Sequence, residues 1–124
     1  MLLGMDRREM LKELKPVFTP AVLQETQAAV RNIHTSSALL DYLQDLIDAS
    51  RQRHSSGLSP RAGIALLRAS QSWALMHGRD MVLPEDVQAV AVNVIAHRLG
   101  SFAGGVEDTG LSMTEKIIRA VPVR

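Results

Sequence analysis

Apolar positions recur along the chain at helical rather than strand spacing. Leu39, Leu40, Leu43, Leu46 and Ile47 fall at i, i+3, i+4, i+7, and Asp41, Asp45 and Asp48 mark the opposite side. This predicts an amphipathic helix over 36–52, capped by Ser36 or Ser37. Residues 19–33 open with Thr19 as cap and Pro20 in the first helical position, and Leu23, Thr26, Val30 and Ile33 follow helical spacing. Ser59-Pro60 repeats that grammar and starts a third helix, which stops at Gly78. Its consecutive apolar residues Ile64 to Leu67 mark it as the central helix, with Trp73 anchoring its later half. Pro84-Glu85-Asp86 begins a fourth helix, with Val87, Val90, Ala91, Val94 and Ile95 inward.

Shorter elements flank these four. Residues 1–15 read as a lead-in helix after a loose start, with Met10, Leu11 and Leu14 on one side and Pro16 ending it. Residues 79–83 read as an extended link in which Arg79-Asp80 fixes the turn. Residues 100–111, with four glycines, read as a flexible connection, and Ser112 to Glu115 as a capping box opening a short, weakly attached last helix that Pro122 closes. The expected fold is all-α: a small bundle of four main helices with a lead-in helix and a short C-terminal helix. The expected organisation is 1–18 lead-in, 19–99 helical domain and 100–124 connection and last helix.

Composition narrows the function classes. The chain has 124 residues, 46% hydrophobic and only 3% aromatic, so the core must be aliphatic. A net charge of +1 argues against a nucleic-acid binder, including a helical DNA-binding domain, which would carry a clear basic excess. With no cysteine, disulfides, thiolate zinc sites and cysteine catalysis are excluded. No apolar run approaches the ~18 residues of a membrane span, and no signal-peptide core opens the chain, so a soluble, cytoplasmic protein is expected. None of the lysines Lys12, Lys15 and Lys116 follows a glycine, so no phosphate-binding loop of the Walker type is present. HExxH, GxSxG and GxGxxG are absent too.

The segment Gly57-Leu58-Ser59-Pro60-Arg61-Ala62 carries the candidate chemistry. With Ser59 as cap and Pro60 at the first position, Arg61 stands second in its helix. A cation there opposes the helix dipole by about a few tenths of a kcal/mol, and an arriving anion would reverse that sign. Arg68, seven residues on, projects from nearly the same face. The competing reading is an exposed arginine, or one paired with Asp41 or Glu85. The remaining candidates have bland readings. His34, His54, His77 and His97 lack metal-ligand spacing. Asp41, Asp45 and Asp48 read as a solvated face, and Arg51, Arg53 and His54 as the basic last turn of their helix. Met76 and Met81 read as core filling. No metal site is expected.

The stretch GLSPRAGIALLRASQSWALMHGRDMVLPEDVQAVAVNVIAHRL resembles the C-terminal part of MoxR-type AAA+ ATPases. So do VRNIHTSSALLDYLQDLIDASR, DRREMLKELKPVFTPAVLQETQAAV and the tail ending in VPV, which extends the similarity over nearly the whole chain. SPRA, a helix, then GRD-x-V-x-PEDV is the specific part. The resemblance implies the helical lid of an AAA+ ATPase without its α/β core. It implies that Arg61 matches the sensor 2 arginine, acting with Ser59, Pro60 and Arg68 on ATP, with Mg²⁺, in the full-length protein. The partners implied are an α/β core of the same or a neighbouring subunit, a homo-oligomeric, hexameric ring and a client protein. Isolated, the chain would be inactive. Two positions depart from the pattern: Leu83 stands where a capping residue is usual, and Leu58 where a small one is. The alternative expectation is a free-standing helical interaction module.

Overall fold

The computed structural model describes residues 7–53, 57–99 and 109–123. Six helices account for most of them: α1 (Arg7–Glu13), α2 (Pro20–Asn32), α3 (Ser37–Arg53), α4 (Pro60–Met76), α5 (Pro84–Leu99) and α6 (Gly110–Ala120). The all-α expectation holds, and the extended pairing among the described residues is an isolated parallel bridge between His34 and Met81.

Helix starts follow the cap grammar of the sequence. Thr19 and Ser59 accept hydrogen bonds from the backbone N–H groups of Val22 and Ala62, and each is followed by proline. Ser36 is the cap of α3, its hydroxyl accepting from Leu39 N–H at 3.2 Å. Gly78 closes α4 with φ of +70°, a left-handed conformation that glycine adopts without a Cβ penalty. The last helix departs from expectation. Its cap is Thr109, which accepts from Ser112 N–H at 3.3 Å, so α6 begins before the Ser112–Glu115 capping box. Thr109 satisfies the orphan N–H of Ser112, which therefore lies inside the first turn instead of capping it.

The core is aliphatic, as composition requires. Leu39, Leu43, Leu46 and Ile47 of α3, Ala62, Leu66 and Ala74 of α4, and Val87, Val90, Ala91 and Ile95 of α5 are buried together. Met113 and Ile117 join them from α6, as does Val121 just beyond it. α6 packs on α5 and α3 and is a full member of the bundle rather than a weakly attached tail. The glycine-rich connection lies, over 100–108, outside the described residues.

Several side chains read as interior are at the surface. α4 buries a line of mostly small residues, Ala62, Ser70 and Ala74 with Leu66, and packs most extensively on α5. Short side chains there let the two helices approach closely. Trp73, Met76 and Ile64 lie off that line and are exposed, so Trp73 anchors nothing in the core and Met76 fills none of it. Met81 and Leu40 are exposed as well. α2 buries no residue along its length, and only Ile33, just past its end, enters the core. From Glu9 to Ala28 every side chain is exposed. Met10, Leu11, Leu14, Val17, Phe18 and Leu23 therefore form an apolar arm outside the bundle.

Candidate functional site

Position 61 is set by the turn that precedes it. Ser50, wholly buried in α3, donates its hydroxyl to the Ile47 carbonyl at 2.6 Å and accepts Leu58 N–H at 2.8 Å. Arg51 Nε donates to the Leu58 carbonyl at 3.3 Å. Leu58 itself is buried in the core, so the larger residue here pins the turn down by packing. Gly57 passes so close to the Arg51 backbone that a Cβ would lie 2.5 Å from its Cα. α4 thus starts at a fixed point against α3.

Ser59 then caps α4 twice. Its hydroxyl accepts Ala62 N–H at 3.3 Å, and its carbonyl accepts Ala62 N–H at 2.9 Å and Gly63 N–H at 3.2 Å. Two of the early donors are spent this way, and Pro60 has none. What remains for an outside acceptor is the Arg61 N–H and its guanidinium. Arg61 is exposed and has no hydrogen-bond or ion-pair partner among the described residues, Asp41 and Glu85 included. Arg68, two turns on, is exposed too, but one of its guanidinium nitrogens donates to Gln71 Oε1 at 2.9 Å.

A groove of about 300 Å³ runs between α3 and α4 and reaches Pro60 at the start of α4. Leu40 and Ile47 line one wall, and Pro60, Gly63 and Ile64 the other. Gly63 lets the helices meet: a Cβ there would stand 2.5 Å from Ile47 Cδ1. The helix start and the apolar groove thus meet at Pro60, next in sequence to the exposed Arg61.

The other sequence candidates separate from this site. Asp48 accepts from Gln44 at 3.1 Å and pairs with Arg51 at 3.6 Å, an exposed contact. Among the described residues no group of three His, Cys, Asp or Glu side chains is arranged to hold a metal. His34 and His77 are exposed, the latter with its ring tilted against Trp73 at 4.8 Å between centroids, and His54 lies outside the described residues together with the side chain of Arg53. Arg79 does not act with Asp80. It crosses to Asp86, donating from both terminal nitrogens at 2.6 and 2.5 Å. Asp86 also accepts Leu83 N–H at 2.8 Å, which supplies from the third helical position the capping that Leu83 cannot. Burial alone would raise the Asp86 pKa, yet the bonds from Arg79 and Leu83 hold it below the ordinary aspartate value. The sequence reading missed Asp86 as a buried anchor, although acid at the third residue of a helix is the signal for it. It missed Gln71 and Ser50 with no such signal available.

The family follows from comparison. A family model for the AAA lid domain matches residues 48–120, more than half of the chain. The chain belongs to the AAA lid domain family. The match takes in α4, α5, α6 and the last turn of α3, and leaves the apolar arm outside. This lid is 32% identical over 96 residues to YeaC of Bacillus subtilis, covering 76% of the chain and 30% of that protein. It is 32% identical over 98 residues to the chaperone MoxR1 of Mycobacterium tuberculosis, covering 70% of the chain and 26% of that protein. It is 40% identical over 81 residues to the MoxR protein of Paracoccus denitrificans, covering 53% of the chain and 24% of that protein. A crystal structure from Cytophaga hutchinsonii matches 99% of the lid and 45% of its own chain, with a TM-score of 0.76 and 23% identity, so the fold is shared. It is a lid of the MoxR type, and it spans under a third of the curated relatives' length. No helix among the described residues is long and apolar enough to cross a membrane.

Proposed function

We propose that this lid couples ATP binding and hydrolysis to movement in a longer MoxR-type AAA+ protein. The carrying observation is the unpaired, exposed guanidinium of Arg61 at the start of α4. ATP in the α/β core of the same or a neighbouring subunit gives Arg61 a triphosphate to bind. Ser59 and Pro60 hold the arginine in place, and Arg68 reaches the phosphates from about 10 Å along the same helix. Mg²⁺ and the hydrolytic groups belong to that core. A contact present with ATP and lost on hydrolysis shifts the equilibrium of lid positions, since only differential affinity can do so. In a cytoplasmic homo-oligomeric ring, a hexamer, this cycle would remodel a client protein.

Residues 1–18 are the lead-in from the core, 19–99 the main body of the lid, and 100–124 the connection and a last helix that packs back into the same bundle. The exposed apolar arm supports this organisation, because Met10, Leu11, Leu14 and Phe18 need a companion surface and the preceding core provides one. The same arm supports a second reading, a free-standing module that docks another protein through it.

The test is turnover in the longer protein. Arg61→Ala should lower ATP hydrolysis at least tenfold, within the range arginines contribute to phosphoryl transfer. Its helical circular dichroism and melting temperature should stay unchanged. Wild-type turnover in that variant would refute the role. The 124-residue chain alone should show no ATPase activity, and hydrolysis by a clean preparation would contradict the proposal.

A further inference from the structure

The arm formed by α1 and α2 has little to hold it. α2 buries nothing, and its packing is principally on α4. At its end the chain turns through Ile33, where ψ of 123° leaves the helical region. Beyond that point the backbone is secured, since His34 N–H donates to the Asp80 carbonyl at 2.7 Å and Val82 N–H to the His34 carbonyl at 3.0 Å. Between the free arm and this fixed segment one buried side chain intervenes. Gln71 of α4 is 5% exposed, and its Nε2 donates to the Ile33 carbonyl at 3.0 Å and approaches Thr35 Oγ1 at 3.4 Å. Its Oε1 accepts from Arg68 at 2.9 Å.

The orientation of this carboxamide is fixed by chemistry. A carbonyl only accepts and a guanidinium only donates, so the amide nitrogen must face Ile33 and its oxygen must face Arg68. A flip would set donor on donor and acceptor on acceptor. Arg68 therefore orients the donor that holds the last turn of α2. Inside a low-dielectric site such a bond is strong, and its loss leaves a buried carbonyl unpaired.

We infer that Gln71 is a positioning residue: it latches the C-terminal end of α2 to α4 and sets the angle at which the arm leaves the bundle, with Arg68 holding the latch in its donating orientation. The inference goes beyond the nucleotide reading and needs no nucleotide to test. It concerns the joint through which any movement of the lid against the arm must pass.

The chain has no cysteine, so paired spin labels can be introduced without background. One pair, Glu25→Cys with Asn93→Cys, spans arm and bundle; a second, Gln52→Cys with Asn93→Cys, lies within the bundle. All these positions are exposed. In Gln71→Met, which keeps length and apolar packing but has no donor, the arm–bundle distance distribution should at least double in width, while the bundle pair keeps its width. Gln71→Glu, which satisfies Arg68 but cannot donate to Ile33, should broaden the arm pair similarly. An arm distribution of wild-type width in both Gln71→Met and Gln71→Glu would overturn the inference. So would equal broadening of both pairs, which would make Gln71 a support of the bundle rather than of the joint.

Discussion

Removing the Asp86 carboxylate should be among the costliest single changes to a side chain at an end of the bundle. Asp86 is 2% exposed and takes three hydrogen bonds, two from the Arg79 guanidinium and one from Leu83 N–H. A bond to a charged partner contributes about 1.5–3 kcal/mol. Asp86→Ala also ends the back-bond to an N-cap amide and the acid–dipole interaction of the first turn, about 0.5 kcal/mol. Leu83 is exposed, so water repairs part of the amide's loss. Counting the two bonds to the partly exposed Arg79 together at about 2 kcal/mol and the helix-start terms at about 1 kcal/mol, the loss is about 3 kcal/mol, and at about 3–5 °C per kcal/mol for a chain of this size the melting temperature should fall by about 10 °C. Asp86→Asn keeps an acceptor for Leu83 N–H and should lose about half as much.

The pH dependence gives an independent check. The folded Asp86 carboxyl titrates below its unfolded value of about 3.9, so the unfolded state binds more protons in the interval between them. Its stabilisation is complete above that unfolded value and disappears as pH falls through the folded one. The melting-temperature gap between wild type and Asp86→Asn should be constant from pH 7 to 5 and shrink by pH 3. Thermal melts followed by circular dichroism measure it. A loss below 2 °C for Asp86→Ala at pH 7, or a gap that does not narrow at pH 3, would refute the reasoning.

Four further changes, one of them paired with a suppressor, probe the packing and a helix end. Leu66→Ala, at a 1% exposed position, should cost about 3 kcal/mol in chemical denaturation, whereas Met76→Ala, 77% exposed, should stay within about 0.5 kcal/mol. Gly78→Ala should destabilise by about 1 kcal/mol through its φ of +70° alone, since nothing lies within 4 Å of the added methyl; a neutral result would mean the α4 terminus relaxes. Gly63→Ala should be destabilising alone and recover in combination with Ile47→Val, which removes the Cδ1 that the new Cβ meets at 2.5 Å; strict additivity of the pair would exclude that contact as the cause.

The parts of this lid that were legible in its sequence are those that local chemistry decides. Thr19-Pro20 and Ser59-Pro60 start helices because each supplies an acceptor and a preset φ within three residues. The inward stripe of α5 emerged because valines and isoleucine at helical spacing have one solution. Trp73, Met76 and Leu40 were misplaced because hydrophobicity says that a side chain would gain from burial, not that a neighbour is present to bury it. α4 buries its smaller residues, and which face it buries depends on every helix that packs against it. The apolar arm shows the same limit: its side chains have the composition of an interior and no interior to enter. At the site, Arg61's position was readable from the cap, but its lack of an acidic neighbour required the placement of α3 and α5. Gln71 was invisible because its partner is the backbone carbonyl of Ile33, which carries no residue identity.

The extensive packing of α4 on α5 has a mechanical meaning. Small buried residues leave little side-chain length to give way between packed rods, so α4 and α5 answer a load on the Arg61 end as one piece. The give between that piece and the arm is then at Ile33, where α2 ends and the secured segment begins. An engineer wishing to stiffen or slacken this device would leave the rods alone and alter that short elbow.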